Sequence, residues 1–460
     1  MPENGFFTHH NHGFWLEFSL FPQSCSLSAA EDDHFHTCIL AIEKAVCHFF
    51  YTSLCLRRES VAGARARVDP PLKPAYTLCM HVRQLLWVAG CSAVGLGLLV
   101  ALAVYHYEWN VSTLLRMDVR FGQEYRVPEG VILYEEKGYD GMAYYEIARE
   151  IPTLLLGQDT HFGSAYRFQR ILFPLFGYLL ALGNDAWFPV SFLIINILAS
   201  IGSLVLLLLT VKRMSVHSFT ILCNPAILVG ILFSLTEPLS LFFIMLFFFL
   251  WERQGRTMGF LASLSLLLSL LSRETTVFLI VLLLVWALAH KRWRDTIWLL
   301  FPVGLFLLWQ YFLALHFDSI AFQAGERIMN LSLRGPRQLI VWLFEKVNSY
   351  RLSSLPLLIF LVLLSARLML DWWRVRISRS VDITSFLLTG LVGTMLSMDP
   401  HMWGVITSIG RVVTPLYPVY ALYACYHDTR FMRGLSLLLI VTSVVSAIGI
   451  ALVHHPYILS

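Results

Sequence analysis

Residues 187–211 read WFPVSFLIINILASIGSLVLLLLTV, without one charged side chain, and are followed at once by Lys212 and Arg213. At about 1.5 Å per residue the stretch makes a helix of roughly 37 Å, enough to cross a bilayer hydrocarbon core of about 30 Å. Comparable runs lie on both sides of it. Spans are expected near 85–106, 217–234, 237–251, 257–272, 275–290, 295–315, 353–370, 383–398, 404–425 and 434–453. Of 460 residues, 57% are hydrophobic and 14% charged, whereas a soluble domain carries about a quarter charged residues. The fold class is therefore all-α, a polytopic transmembrane helical bundle of about eleven spans. Ile171–Leu182 is apolar but too short to cross, and reads as a re-entrant or interfacial helix.

Orientation follows from the basic residues. With the N-terminus inside, the short inner connections hold Lys212, Arg213, Arg253, Arg256, Lys291, Arg292, Arg294, Arg374, Arg376, Arg379, Arg430 and Arg433. The short outer connections hold only Arg273, a bias that fixes topology. Counting Ile171–Leu182 as a full span would invert that bias. Two long loops, about 107–186 and 316–352, then face outward, and Asp140–Glu150 and Gln338–Val347 within them read as surface helices on the bilayer. Residues 1–79, with six histidines and a basic cluster, are expected to be a cytoplasmic tail or to precede the natural start. Met80-His-Val-Arg-Gln-Leu-Leu-Trp reads like the opening of a membrane protein, and 80–460 is the transmembrane domain. The net charge of +4 is spread in clusters between apolar runs, which is a topology signal and does not indicate nucleic acid. The eight cysteines have no metal or disulfide spacing and read as free thiols.

An ionisable residue in an apolar span is costly and usually functional. Thr236-Glu237-Pro238, Ser272-Arg273-Glu274-Thr275 and Asp399-Pro400-His401 interrupt apolar runs, and Arg411 lies inside an expected span. Under this topology they share the outer side with Asp140, Tyr166, Arg167 and Arg170 of the first loop. Each also has a structural reading. Glu237 could cap a helix beside Pro238, Arg273 and Glu274 could pair across a tight turn, and Asp140-Gly141 could be a plain turn. Arg411 is harder to read that way, because an arginine inside a span needs a partner or an anion.

The string Gly-Tyr-Asp-Gly-Met-Ala-Tyr-Tyr-Glu-Ile-Ala at 138–148 resembles the first-loop motif of integral-membrane GT-C glycosyltransferases. These are the polyprenyl-phosphate-sugar-dependent enzymes related to protein and GPI mannosyltransferases. More closely it resembles a bacterial group of cell-surface glycopolymer transferases. Ala165-Tyr166-Arg167-Phe168-Gln169-Arg170-Ile171-Leu172-Phe173-Pro174 matches a second segment of that group, and Asn224-Pro225, Thr236-Glu237-Pro238, Ser272-Arg273-Glu274-Thr275 and Gly410-Arg411 also fit. The likeness covers about 85–453, and Met142-Ala143 departs from its usual Gln-Phe pair.

The resemblance implies a GT-C-like bundle in the plasma (inner) membrane with an extracytoplasmic site. A sugar moves there from a polyprenyl-phosphate donor to an acceptor hydroxyl on a glycan, lipid or protein. Asp140 is the candidate base, since an acceptor hydroxyl must lose its proton as it attacks. Arg167, Arg170, Arg411 and His401 are candidates for the donor phosphate, because guanidinium matches phosphate oxygens. Tyr139, Tyr144, Tyr145, Tyr166, Glu237, Arg273 and Glu274 are candidate substrate contacts, with Arg273 weakened by its neighbour Glu274. One base with direct displacement inverts the anomeric centre. The resemblance implies no particular cofactor, and a monophosphate leaving group can be held by arginine alone. A divalent metal would find oxygen ligands among Asp140, Glu135, Glu136, Glu237 and Asp399, but no Asp-x-Asp pair stands in the first loop. The competing classes are a flippase or transporter for lipid-linked sugars, which would place charges at midplane, and a ligase moving whole glycans. Sequons stand at Asn110 and Asn330.

Overall fold

The structure, a computed structural model, describes residues 74–135, 138–253, 255–319, 321, 341, 355–378, 382–398, 411 and 414–453. Within them the chain is mostly helical. Helix α1 is Pro74–Val104, and the first loop follows with β1 (Met117–Asp118), α2 (Val119–Glu124), β2 (Leu133–Tyr134), α3 (Asp140–Leu155), α4 (Ala165–Phe168) and α5 (Leu172–Leu180). Then come α6 (Phe188–Val211), α7 (Pro225–Leu232), α8 (Glu237–Trp251), α9 (Arg256–Ser272), α10 (Thr276–Ala289) and α11 (Trp293–Phe317). The last described helices are α12 (Leu355–Ser378), α13 (Ile383–Leu396), α14 (Leu416–Tyr426) and α15 (Arg430–Val453). Residues Leu78–Ser460 form one compact unit.

Among the described residues, five helical segments are long and apolar enough to cross a membrane: Gln84–Tyr107, Asp185–Val211, Trp293–Phe317, Leu355–Arg374 and Arg430–Leu452. Helices α8, α9, α10 and α13 are apolar but shorter. The uncharged stretch around Phe188–Val211 is a single helix, as its composition predicts. The run expected as a span over 217–234 is broken instead. It forms a 3₁₀ helix, Val216–Ile221, and the short α7, because the Asn224 side chain accepts from Ile227 N–H and Pro225 opens a new helix. Ile171–Leu182 yields only the nine residues of α5, too short to cross.

Helix α8 is the hub, packed against α6, α7 and α9. Small residues bring the helices together, as in membrane-type packing. Gly202 of α6 leaves room for the Phe242 ring. The Ser240 and Ser269 hydroxyls meet at 2.9 Å and Ser269 and Thr276 at 2.8 Å, tying α8, α9 and α10. Because Ser240 is near the start of α8 and Ser269 near the end of α9, the two helices run antiparallel.

Helix α3, expected as a surface helix, buries Ala143, Tyr144, Tyr145, Ile147, Ala148 and Ile151 and packs on α5. It also buries Glu146 and Glu150, and only Leu155 at its end is largely exposed. The other expected surface helix, Gln338–Val347, falls almost entirely outside the described residues, as do the 1–79 tail up to residue 73 and Asn330. Asn110 is engaged by the fold, for its side chain accepts from Ser112 N–H and donates to the Gly130 carbonyl at 2.6 Å. Among the described cysteines, Cys91, Cys223 and Cys425 are free.

Candidate active site

Segments distant in sequence end at one place. The start of α8 and the end of α9 share one end of their antiparallel pair, which brings Glu237 beside Arg273 and Glu274. Asp140 opens α3, Arg167 and Arg170 flank the end of α4, and Arg411 stands five residues before α14.

The Gly-Tyr-Asp-Gly motif is held by backbone. One oxygen of Asp118 caps α2 through Phe121 N–H at 2.7 Å, and the other accepts from Gly138 N–H at 3.0 Å. Tyr139 N–H donates to the Arg116 carbonyl at 2.9 Å. A methyl group on Gly141 would meet the carbonyl oxygens of Phe233 at 2.6 Å and Leu115 at 2.8 Å, neither of which can yield. Gly141 is thus a close-packing glycine inside the first turn of α3, and the Asp-Gly pair is not a free turn. Asp140 sits where a helix N-terminus favours a carboxylate.

Both oxygens of Asp140 face guanidinium groups. Oδ1 is paired with Arg167. Oδ2 accepts from Arg411 Nη2 at 2.9 Å and lies 3.6 Å from Arg170 Nη1. Burial opposes ionisation of this carboxyl, but Arg167, Arg411 and Arg170 outweigh it and hold the group well below the usual carboxylate range. Arg411, 5% exposed, also donates from Nε to Glu237 Oε1 at 2.7 Å and from Nη1 to the Tyr139 hydroxyl at 2.7 Å. Arg170, 2% exposed, grips Glu274 through two bonds of 2.7 and 2.6 Å, and donates to the Tyr144 and Tyr166 hydroxyls at 3.0 and 2.8 Å.

Two local readings are thereby corrected. Arg273 and Glu274 form no direct ion pair: Arg273 reaches Glu237 at 3.2 Å, while Glu274 holds Arg170. Glu237 opens α8 beside Pro238, yet its buried carboxylate serves Arg411 and Arg273. Tyr139, Tyr144 and Tyr166 line the cluster. Tyr145 points elsewhere, its ring edge-on to Phe188 at 5.6 Å. His401 and Asp399 lie outside the described residues, as does Glu136.

Among the described residues, Arg167, Arg170, Arg273 and Arg411 oppose Asp140, Glu237 and Glu274, a balance of one positive charge. Arg273 Nε, Glu237 Oε2 and the hydroxyls of Thr236 and Thr275 are buried without a hydrogen-bond partner among the described residues. Such groups cost about 1–3 kcal/mol each in a closed core, and their concentration beside surplus guanidinium suits an anionic, hydroxyl-rich ligand. No group of three or more His, Cys, Asp or Glu side chains among the described residues could hold a metal ion. Asp140 and Glu237, offered as metal ligands by the sequence, both spend oxygens on arginine. Sequence reasoning missed Arg116, whose carbonyl anchors Tyr139; nothing in its surroundings along the chain distinguishes it. No family model, no curated protein and no solved structure matches the chain.

Proposed function

We propose that the chain is a polytopic, GT-C-like membrane glycosyltransferase. It moves a sugar from a polyprenyl-phosphate donor to an acceptor hydroxyl at the extracytoplasmic face. One observation carries this reading: a carboxylate at the head of α3, held by Arg167 and Arg411 in a buried cluster with more guanidinium than carboxylate. The first-loop motif, the charge bias of the connections and the span-length helices support it.

In the free protein Asp140 is a weak base, since the arginines stabilise its charge. The donor phosphate competes for the same guanidinium groups. As Arg167 and Arg411 turn toward it, Asp140 loses the charges that lowered its proton affinity and becomes able to take the acceptor proton. The acceptor oxygen then bonds to the anomeric carbon as the bond from that carbon to the phosphate oxygen breaks. The proton goes to Asp140, and the lipid phosphate leaves with its growing charge held by arginine. A single displacement inverts the anomeric centre. Tyr139, Tyr144 and Tyr166 offer hydroxyls and ring faces to the sugar.

The test is a transfer assay in membranes with a panel of polyprenyl-phosphate sugars, comparing the native chain with Asp140→Ala at equal expression. Product in the native chain and its loss in the variant are expected. No turnover with any donor, or undiminished product from Asp140→Ala, would overturn the assignment.

A further inference from the structure

The Asp140 cluster has a saturated half and an unsaturated half. In the first, every nitrogen of Arg170 donates: Nε to Glu274, Nη1 to the Tyr144 hydroxyl, and Nη2 to both Glu274 and the Tyr166 hydroxyl. In the second, Thr236, Glu237, Arg273 and Thr275 are each more than nine-tenths buried, and each keeps a polar atom without a hydrogen bond among the described residues. Glu237 spends Oε1 on Arg411 and leaves Oε2 unbonded. Arg273 Nε has no acceptor, and its Nη1 stands 3.2 Å from Glu237 Oε1 without donating to it. The fold keeps these groups together. Thr236 precedes α8 and Glu237 opens it, while Arg273 and Thr275 lie between α9 and α10. The hydroxyls of Ser240, Ser269 and Thr276 lock those three helix ends against one another.

What each atom can do decides what it can hold. A carboxylate oxygen only accepts hydrogen bonds, a guanidinium N–H only donates, and a threonine hydroxyl does both. A phosphate would satisfy Arg273 but set a second negative charge against Glu237. A sugar carboxylate has the same fault, and a sugar ammonium would face Arg273. Two hydroxyls on adjacent carbons answer both sides at once. One O–H donates to Glu237 Oε2, the neighbouring oxygen accepts from Arg273 Nε, and Thr236 and Thr275 meet what remains. Only one guanidinium separates these groups from the proposed base, since Arg411 donates to Glu237 from Nε and to Asp140 from Nη2. The turn of Arg411 toward the donor phosphate, which releases Asp140, releases Glu237 Oε1 in the same movement.

We propose that Glu237 and Arg273, with Thr236 and Thr275, form a specificity-determining subsite that reads two neighbouring hydroxyls of an uncharged sugar ring. This deepens the transferase reading and rests on it for placing the ring beside Asp140. Arginine on the Asp140 side then holds the phosphate, and the Glu237 side selects the sugar.

The test measures transfer by the full chain from polyprenyl-phosphate donors carrying a hexose, each of its monodeoxy forms, or the matching uronate. Loss of either hydroxyl of the pair should lower kcat/KM at least about a hundredfold, because buried partners are left stranded, and the uronate should not be transferred. Glu237→Gln should shrink the ratio of parent to deoxy rates to within about fivefold. That ratio is taken within one variant, so it does not depend on how much protein folds. Thr236→Val removes a hydroxyl with no internal partner, so the melting temperature in detergent should hold while KM rises at least about threefold. A lowered melting temperature with unchanged KM would mark a structural threonine and count against the subsite. Equal transfer of the parent and every monodeoxy donor would leave the orphaned atoms to water and overturn the subsite, with the transferase reading intact. No transfer from any donor would overturn the transferase reading instead. The subsite is then decided by saturation-transfer NMR of methyl hexopyranosides on the full chain in a detergent without a sugar head. Signal from the parent that is lost in a deoxy form is expected, and equal signals, or none from either, would overturn it.

Discussion

Two buried polar clusters lie beyond opposite ends of α14, a helix about 16 Å long at helical rise. Arg411 precedes its start, and Asp428 follows its end. In the second cluster His217 Nδ1 meets the Ser436 hydroxyl at 2.8 Å, and its Nε2 meets Asp428 at 3.2 Å. Tyr420 reaches Ser436 at 2.8 Å, and Arg433 holds both oxygens of Asp428 at 2.7 and 3.1 Å. Serine, histidine and aspartate in hydrogen-bond sequence look like a nucleophilic triad. Ser436 is fully buried, however, and shares its hydroxyl with Tyr420, so nothing can reach it. This network clamps the 3₁₀ helix Val216–Ile221 to α14 and α15. The Asp140 cluster differs in balance as well as in composition. It holds surplus cations and orphaned donors, and its key carboxylate is partly open. A saturated network fixes a fold, whereas an unsaturated one keeps capacity for a ligand.

The largest test of that contrast is Asp140→Asn. Transfer per folded molecule should fall roughly 10²–10⁴-fold, the usual worth of a positioned base. Asp428→Asn should leave it within about twofold, as measured by product formed against monodisperse protein. Equal losses in both would erase the distinction.

Arg411→Ala removes a guanidinium shared by Asp140 and Glu237 and leaves Glu237 buried with a weaker partner. Breaking such a pair costs about 3–5 kcal/mol, and a lowered melting temperature in detergent is the expected readout. Arg411→Lys should recover part of the stability but not the two-pronged contact. In the clamp, Asp428→Asn is expected to cost about 1–3 kcal/mol in the same melt, because His217 and Arg433 lose a charged acceptor.

The smallest expected effect is an absence of titration. The folded-state value of Asp140 lies below its unfolded value of about 3.9. Its contribution to stability is therefore fully present above that pH and is lost only as pH falls toward the folded value. Between about pH 5 and 9, kcat/KM should show no inflection from Asp140, since it reports the free protein. An acid limb near pH 6 that vanishes in Asp140→Asn would contradict the three-arginine environment.

The long uncharged runs were legible because a helix long enough for a bilayer needs only composition and length. Asp140, Arg170, Glu237 and Arg411 were legible because charge among apolar residues is costly. Their pairing was not. Arg170 and Glu274 are 104 positions apart and Arg411 and Asp140 are 271, and no local period encodes such contacts. Nearest-neighbour logic therefore paired Arg273 with Glu274, although Arg273 turns to Glu237 and Glu274 to Arg170. Amphipathic patterning likewise suggested that α3 rests on a surface, because a helix buried on most sides and one lying in a bilayer interface both carry aromatic and apolar residues.

The span between Asp140 and Arg411 also sets a timetable. The ribosome adds about 5–20 residues per second, so the acid emerges on the order of tens of seconds before the last of the arginines that hold it. Any nascent chain that stops short of residue 411 leaves Asp140 with only the arginines of its own loop, Arg167 and Arg170. Assembly of this centre thus reports that nearly the whole chain has been made, and the site matures through completion of the polypeptide itself.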